Sequence, residues 1–156
     1  MMASKNSQAI SNVAEVQVSG LVGTALNWSV FCAIYKGMQP TINVAEAGSH
    51  AMPGAMKPLQ FPRHVSLSYT GAQGIECRWN PQGDWDDGGS LIERFNIDFT
   101  VERKDLIYAS VCDDSGMPVM PGEAHGAFGP THLIAACRAI VAAHLGEVVS
   151  VPAELT

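Results

Sequence analysis

The sequence predicts an α+β fold: a small, mainly antiparallel sheet packed by two main helices, with long Pro/Gly-rich loops. Three observations carry this expectation. Apolar residues recur at helical spacing near both ends of the chain, they alternate along the stretches between, and the connections are dense in Pro and Gly. At 156 residues the chain reads as one domain, long enough to bury a core without disulfides.

Taken in order, residues 1–12 are polar, with little to bury, and read as a flexible N-terminal arm ahead of a single domain over 13–156. Glu15-Val16-Gln17-Val18 alternates as a short strand. Residues 19–36 read as a helix, with Leu26, Val30 and either Ala33 or Ile34 along one face and Gly37 as its stop. Residues 37–64 read as a loop insertion, because Pro40, Pro53, Pro58 and Pro62 with Gly48 and Gly54 leave no helix or central strand intact. A connection of that length serves as a lid, as a partner-binding loop carrying the adaptable Met38, Met52 and Met56, or as an insertion without a role.

Residues 65–69 alternate as a half-buried strand, and Arg78-Trp79 ends a second one. A loop over 80–89 leads to a short helix over 90–95 and then to an alternating strand over 97–102. Residues 106–112 form a more continuous apolar run, suited to a central strand. Asp113-Asp114-Ser115-Gly116 turns the chain, and a second Pro/Gly-rich loop over 117–128 precedes the last helix. That helix, 130–145, opens on Pro130 and stops at Gly146. The strands at 15–18, 65–69, 97–102 and 106–112 are expected to share one sheet.

Composition narrows the function. The net charge is −6 and only 15% of residues are charged, with no basic run longer than Arg103-Lys104, so no counterion-displacing stripe for nucleic acid is present. So bland a surface suits a homo-oligomer. Cys32, Cys77, Cys112 and Cys137 are widely spaced, with no short metal-type pair, which fits reduced thiols; Cys32 and Cys137 fall on apolar helical faces and read as small buried hydrophobes. The polar start lacks a signal core, and the apolar run 21–35, interrupted by Asn27, is too short to span a membrane.

Candidate ligand-binding residues fall into three groups. In the 80–92 loop, Gly88 and Gly89 would let a backbone approach a ligand, Trp85 would stack on a planar ring, and Asp84, like Asp86 and Asp87, would bind or simply cap the following helix. Thr131 and His132 stand at a helix N-terminus suited to a phosphate or carboxylate, with Thr131 alternatively a cap; Arg138, two turns on, needs an anionic partner, either a ligand or Glu93 or Asp84. Asn27 and Trp28 place an amide and an indole within an apolar helix, for core bonding or for reading a base. His50, His64 and His125 sit in loops and read as solvent-facing. No nucleophile elbow, phosphate loop or metal-binding motif is present, so no catalytic residue, metal or cofactor is assigned.

Three blocks carry a resemblance: Gly23-Thr24-Ala25-Leu26-Asn27-Trp28-Ser29-Val30, the segment Asp84-Trp85 through Gly88-Gly89 to Ile92-Glu93, and the terminal helix with Pro152-Ala153-Glu154-Leu155. In these the chain resembles the NinX-like family of small tailed-phage proteins. Asn27 stands where that pattern commonly has Asp, and Gln82-Gly83 replaces a Ser-Thr-type pair. The resemblance implies a phage accessory protein acting in the cytoplasm of the infected bacterium, of the kind that counters host functions such as immunity signalled by nucleotide-derived messengers. Three modes follow: a sponge that sequesters a small nucleotide-like anion, an inhibitor that grips a host protein through its loop surface, or a nucleotide-cleaving enzyme. The residue inventory favours the sponge, acting as a homo-oligomer.

Overall fold

The structure is a computed structural model describing residues 12–119 and 125–156; the arm expected at the N-terminus lies, but for Asn12, outside the described residues. At its centre two helices cross, α1 (Gly23–Ile34) and α3 (His132–Leu145). Both are apolar nearly all round, and accordingly both are buried, Ala25 to Phe31 in α1 and Ala135 to Val141 in α3 without interruption. Val30, Leu26, Ile140 and Val141 form the driest part of the core.

Local chemistry sets the ends of α3. Thr131 Oγ1 accepts a hydrogen bond from the Ile134 N–H at 3.2 Å, and Gly146, at φ +91°, donates its N–H to the Ala142 carbonyl. The helix expected over 19–36 is shorter than the pattern implied. Val18–Gly20 forms a 3-10 turn instead, and α1 opens only after Gly23 takes φ +66°, a conformation costly for any other residue.

An antiparallel sheet flanks each central helix. Beside α1 lies β2 (Thr41–Ala45), β5 (His64–Thr70) and β6 (Glu76–Trp79), in the order β2-β5-β6. Against α3 lies β7 (Ile97–Arg103), β8 (Leu106–Val111) and β9 (Ala127–Gly129), with β8 central as its apolar run predicts. The chain ends join as β1 (Val13–Gln17) with β10 (Val148–Pro152), pairing Val13 with Pro152, and β3 (Gly48–His50) pairs with β4 (Leu59–Phe61). The α+β class holds, but the single sheet expected for four strands does not: β1, β5 and the β7–β8 pair belong to three different sheets. The β2-β5-β6 sheet packs on α1 and the β7-β8-β9 sheet on α3, while β10 of the terminal pair touches both helices.

Two further expectations are corrected. Residues 37–64 contain β2, β3 and β4, since each proline falls between strands rather than within one. The short helix expected at 90–95 is α2 (Trp85–Arg94), opened by the Asp84 carboxylate, which accepts from the Asp86 N–H at 2.9 Å. Asp86 and Asp87 in its first turn and Arg94 in its last complement the helix dipole and offset the two glycines inside it. No helix among the described residues is long and apolar enough to cross a membrane.

Candidate functional site

Each central helix carries one buried polar side chain of consequence, Asn27 in α1 and Arg138 in α3. Asn27 is 5% exposed. Its Nδ2 donates to Asn80 Oδ1 at 2.9 Å and its Oδ1 accepts from the Gln82 N–H at 3.0 Å, while its main-chain carbonyl accepts from Trp79 Nε1 at 2.8 Å. The Asn80 N–H in turn donates to the Asp87 carboxylate, and Gln82 Oε1 accepts from the Gly23 N–H. Asn27 therefore ties α1 to β6, to the 80–84 turn and, through Asn80, to α2. It borders a cavity of only about 120 Å³.

Arg138 is 8% exposed. Its Nε donates to the Leu21 carbonyl and its Nη1 to the Phe128 carbonyl, both at 2.9 Å. The fixed partner expected for this arginine is thus a pair of main-chain oxygens, not Glu93 or Asp84. Burial holds its pKa below the ordinary arginine value, because charge is costlier out of water. No acceptor among the described residues takes Nη2.

Arg138 borders the larger cavity, about 780 Å³, within the size range of small-molecule sites. The cavity lies beside the edge strand β9, between the turn at Gln17 and Ser19 and the C-terminal half of α3, where Ala142 lines it. Tyr108 and Phe128, cross-strand neighbours with ring centroids 4.7 Å apart, supply aromatic wall. Arg138 is its buried cation, with the Asp105 and Glu147 carboxylates and His125 also in the lining. Buried side chains of β8 leave this strand little freedom, and Gly126 lets it sit close: a Cβ there would stand 2.3 Å from the Ala109 carbonyl oxygen and 2.7 Å from the Tyr108 ring.

The other candidates are placed elsewhere. Trp28, 4% exposed, belongs to the apolar core and has no open face for stacking. Asp84 caps α2, and Thr131 caps α3. His132 packs edge-on to Phe99 at 5.1 Å between centroids. Gly88 faces a helix contact rather than a ligand, since a Cβ would meet the Pro81 carbonyl oxygen at 2.3 Å and Leu133 Cδ2 at 2.6 Å. Gly89 is half-buried beside the Trp85 ring, and Trp85 itself is 62% exposed. The convergence expected of Trp85, Gly88, Gly89, Thr131, His132 and Arg138 is not found: only Arg138 lines the large cavity, Asn27 lines the small one, and the rest line neither. One cause is the early start of α2, which turns Gly88 inward to Pro81 and α3 and leaves Gly89 beside the Trp85 ring.

Sequence reasoning missed Tyr108, Phe128, Asp105 and Glu147. The glycines around Phe128, Gly126 and Gly129, were the available signal, for both mark close approaches of the backbone. The histidines expected in solvent, His50, His64 and His125, are exposed. Among the described residues no three His, Cys, Asp or Glu side chains gather as a metal site requires. Burial pushes the Cys32 thiol up to about 11 and the Cys137 thiol up to about 12, so both are poor nucleophiles.

Fold and cavity together define a small α+β protein built around two buried helices with a ligand-sized cavity at one edge. The family described as NinX of bacteriophage P22 matches residues 17–144, which take in α1, α3 but for its last residue, and every cavity-lining residue except Glu147 and Val148. The chain belongs to that phage family. No curated protein matches it.

Proposed function

We propose that this phage protein binds a small nucleotide-like anion in the cavity beside Arg138 and withholds it, without catalysis, from a host defence signal in the infected cell's cytoplasm. One observation carries the reading: a guanidinium pinned by the Leu21 and Phe128 carbonyls with its Nη2 unclaimed among the described residues. A group so fixed gives a charge-assisted hydrogen bond with little ordering cost on binding. Tyr108 and Phe128 suit a planar base. Asp105 and Glu147 suit ribose hydroxyls or an exocyclic amine, and against one arginine they disfavour highly charged ligands. The ligand class this selects is a nucleotide with one or two negative charges, such as a cyclic or diphosphate-bridged species, rather than a triphosphate.

The test is to purify the protein from cells in which such a signalling system is active, denature it by heat and identify what is released by mass spectrometry. The expected result is a nucleotide-derived compound in stoichiometric amount from the wild type and none from Arg138→Met. Nothing released from the wild type contradicts the reading.

A further inference from the structure

Pairing along residues 41–68 shows one continuous ribbon. Ala45 lies opposite His64 and Gly48 opposite Phe61, three residues further along each strand, so β3–β4 prolongs β2–β5 in the same register. Side chains alternate across a ribbon, which places Ile42, Val44, Glu46, Gly48 and His50 on one face with Leu67, Val65, Arg63, Phe61 and Leu59 opposite them. The Glu46–Arg63 ion pair, at 3.8 Å, agrees with this register. That face is apolar from end to end apart from the ion pair and His50. At its base Leu67 is buried in the core, and α1 lies close, with Thr24 Oγ1 donating to the Val65 carbonyl. Farther out nothing among the described residues covers it: every residue from Val44 to His64 is exposed, including Leu59, Phe61, Met52 and Met56.

A two-stranded ribbon standing alone is marginal in water, and this one extends a core-facing stripe into solvent. Its charge indicates what covers it. Lys57 and Arg63 against Glu46 give the segment 44–64 a formal +1, which leaves the rest of the −6 chain at −7. The body of a second copy is therefore the complementary surface. On that body the start of α2 presents exposed Asp84, Trp85 and Asp86, with no Lys or Arg between residues 79 and 93. An indole flanked by carboxylates accepts both apolar side chains and a lysine.

We propose that residues 44–64 are an arm by which two copies of this chain hold each other, with Phe61, Leu59 and Lys57 of each seated against Trp85, Asp84 and Asp86 of the other. Two reciprocal contacts close as a twofold dimer rather than an open chain. This assignment is independent of the cavity ligand.

Sedimentation equilibrium of the full chain at micromolar concentration should give twice the chain mass. Phe61→Asp and Trp85→Ala, both at exposed positions and checked by unchanged circular dichroism, should each give monomer. Lys57→Glu should weaken the dimer at least about tenfold, and adding Asp86→Lys should recover most of that loss. A wild-type monomer overturns the proposal and leaves the arm for a partner other than this chain. A dimer indifferent to Phe61→Asp or to Trp85→Ala overturns it as well, as does a charge exchange that recovers nothing.

Discussion

The two cavities offer a direct comparison, because each is bordered by a buried polar side chain of a central helix, Asn27 of α1 or Arg138 of α3. Beside α1, both ends of the Asn27 amide are taken up by Asn80 and Gln82, and about 120 Å³ of space remains. Beside α3, Arg138 is anchored by Nε and Nη1, no acceptor among the described residues takes Nη2, and the adjoining space is about 780 Å³. Burial alone does not distinguish them, at 5% and 8% exposure. The distinction lies in how much bonding capacity the fold itself consumes: a buried polar group with all its partners inside holds the fold, and one with a donor to spare can also hold a ligand.

The largest effect should come from Arg138→Met, which conserves bulk but strands the Leu21 and Phe128 carbonyls. Urea unfolding should show a loss of about 3–4 kcal/mol, and ligand binding should disappear with it. Asn27→Ala should cost about 2–3 kcal/mol by the same measurement, for two lost bonds, while binding of the cavity ligand stays unchanged in the folded fraction. A binding loss specific to Asn27→Ala would move the site to the small cavity.

Next in size is the glycine pair. Gly88→Ala should destabilise by about 1–3 kcal/mol, because its Cβ has no room against Pro81 and Leu133. Gly89→Ala meets only the Trp85 ring, at 3.8 Å, and should stabilise α2 by up to about 1 kcal/mol through helix propensity. Equal effects at the two positions would break the assignment of Gly88 to helix packing.

The buried thiols sharpen the comparison from the titration side. Cys32 in α1 and Cys137 in α3 are held neutral, their pKa values raised from 9.0 to about 11 and about 12. The unfolded chain releases these protons first, so their contribution to stability is full below pH 9 and is lost as pH rises from there through the folded values. Thiol-reactive probes at pH 8 should leave both unmodified until the chain is denatured. The smallest effect on stability should be that of Phe128→Ala, within about 1 kcal/mol, since the residue is 47% exposed and its carbonyl remains for Arg138. Its effect on binding should be larger, about 1–3 kcal/mol if a base stacks there.

Features with local causes were legible in the sequence. The terminal helix announced itself through apolar residues at helical spacing and its stop at Gly146, although Pro130, read as its first residue, lies just before the Thr131 cap, and β8 through its unbroken apolar run. Features decided by distant partners were not. Nothing near Val13 says that it will face Pro152, nor does anything in four strands say which sheet each will join. The arm was obscured because Pro40, Pro53, Pro58 and Pro62 were weighed as a group, when each occupies a gap between strands. The first turns of α2 were obscured by Gly88 and Gly89, whose poor helix propensity is overcome by the Asp84 cap and the packing of Gly88 on Leu133. Arg138 stood out in the sequence as an arginine amid alanines. Its anchors did not, because main-chain carbonyls carry no side-chain signature.

Titration calorimetry of the dialysed wild type and of Ala142→Trp, with a panel of singly and doubly charged cyclic and ADP-ribose-type nucleotides, tests the central claim most directly. Ala142 lines the cavity and makes no side-chain hydrogen bond, so an indole there fills the space while leaving the Arg138 anchors in place. Saturable heat with the wild type, absent from a folded Ala142→Trp, is the result this account predicts. No heat with any nucleotide, or identical heat from both proteins, would contradict it.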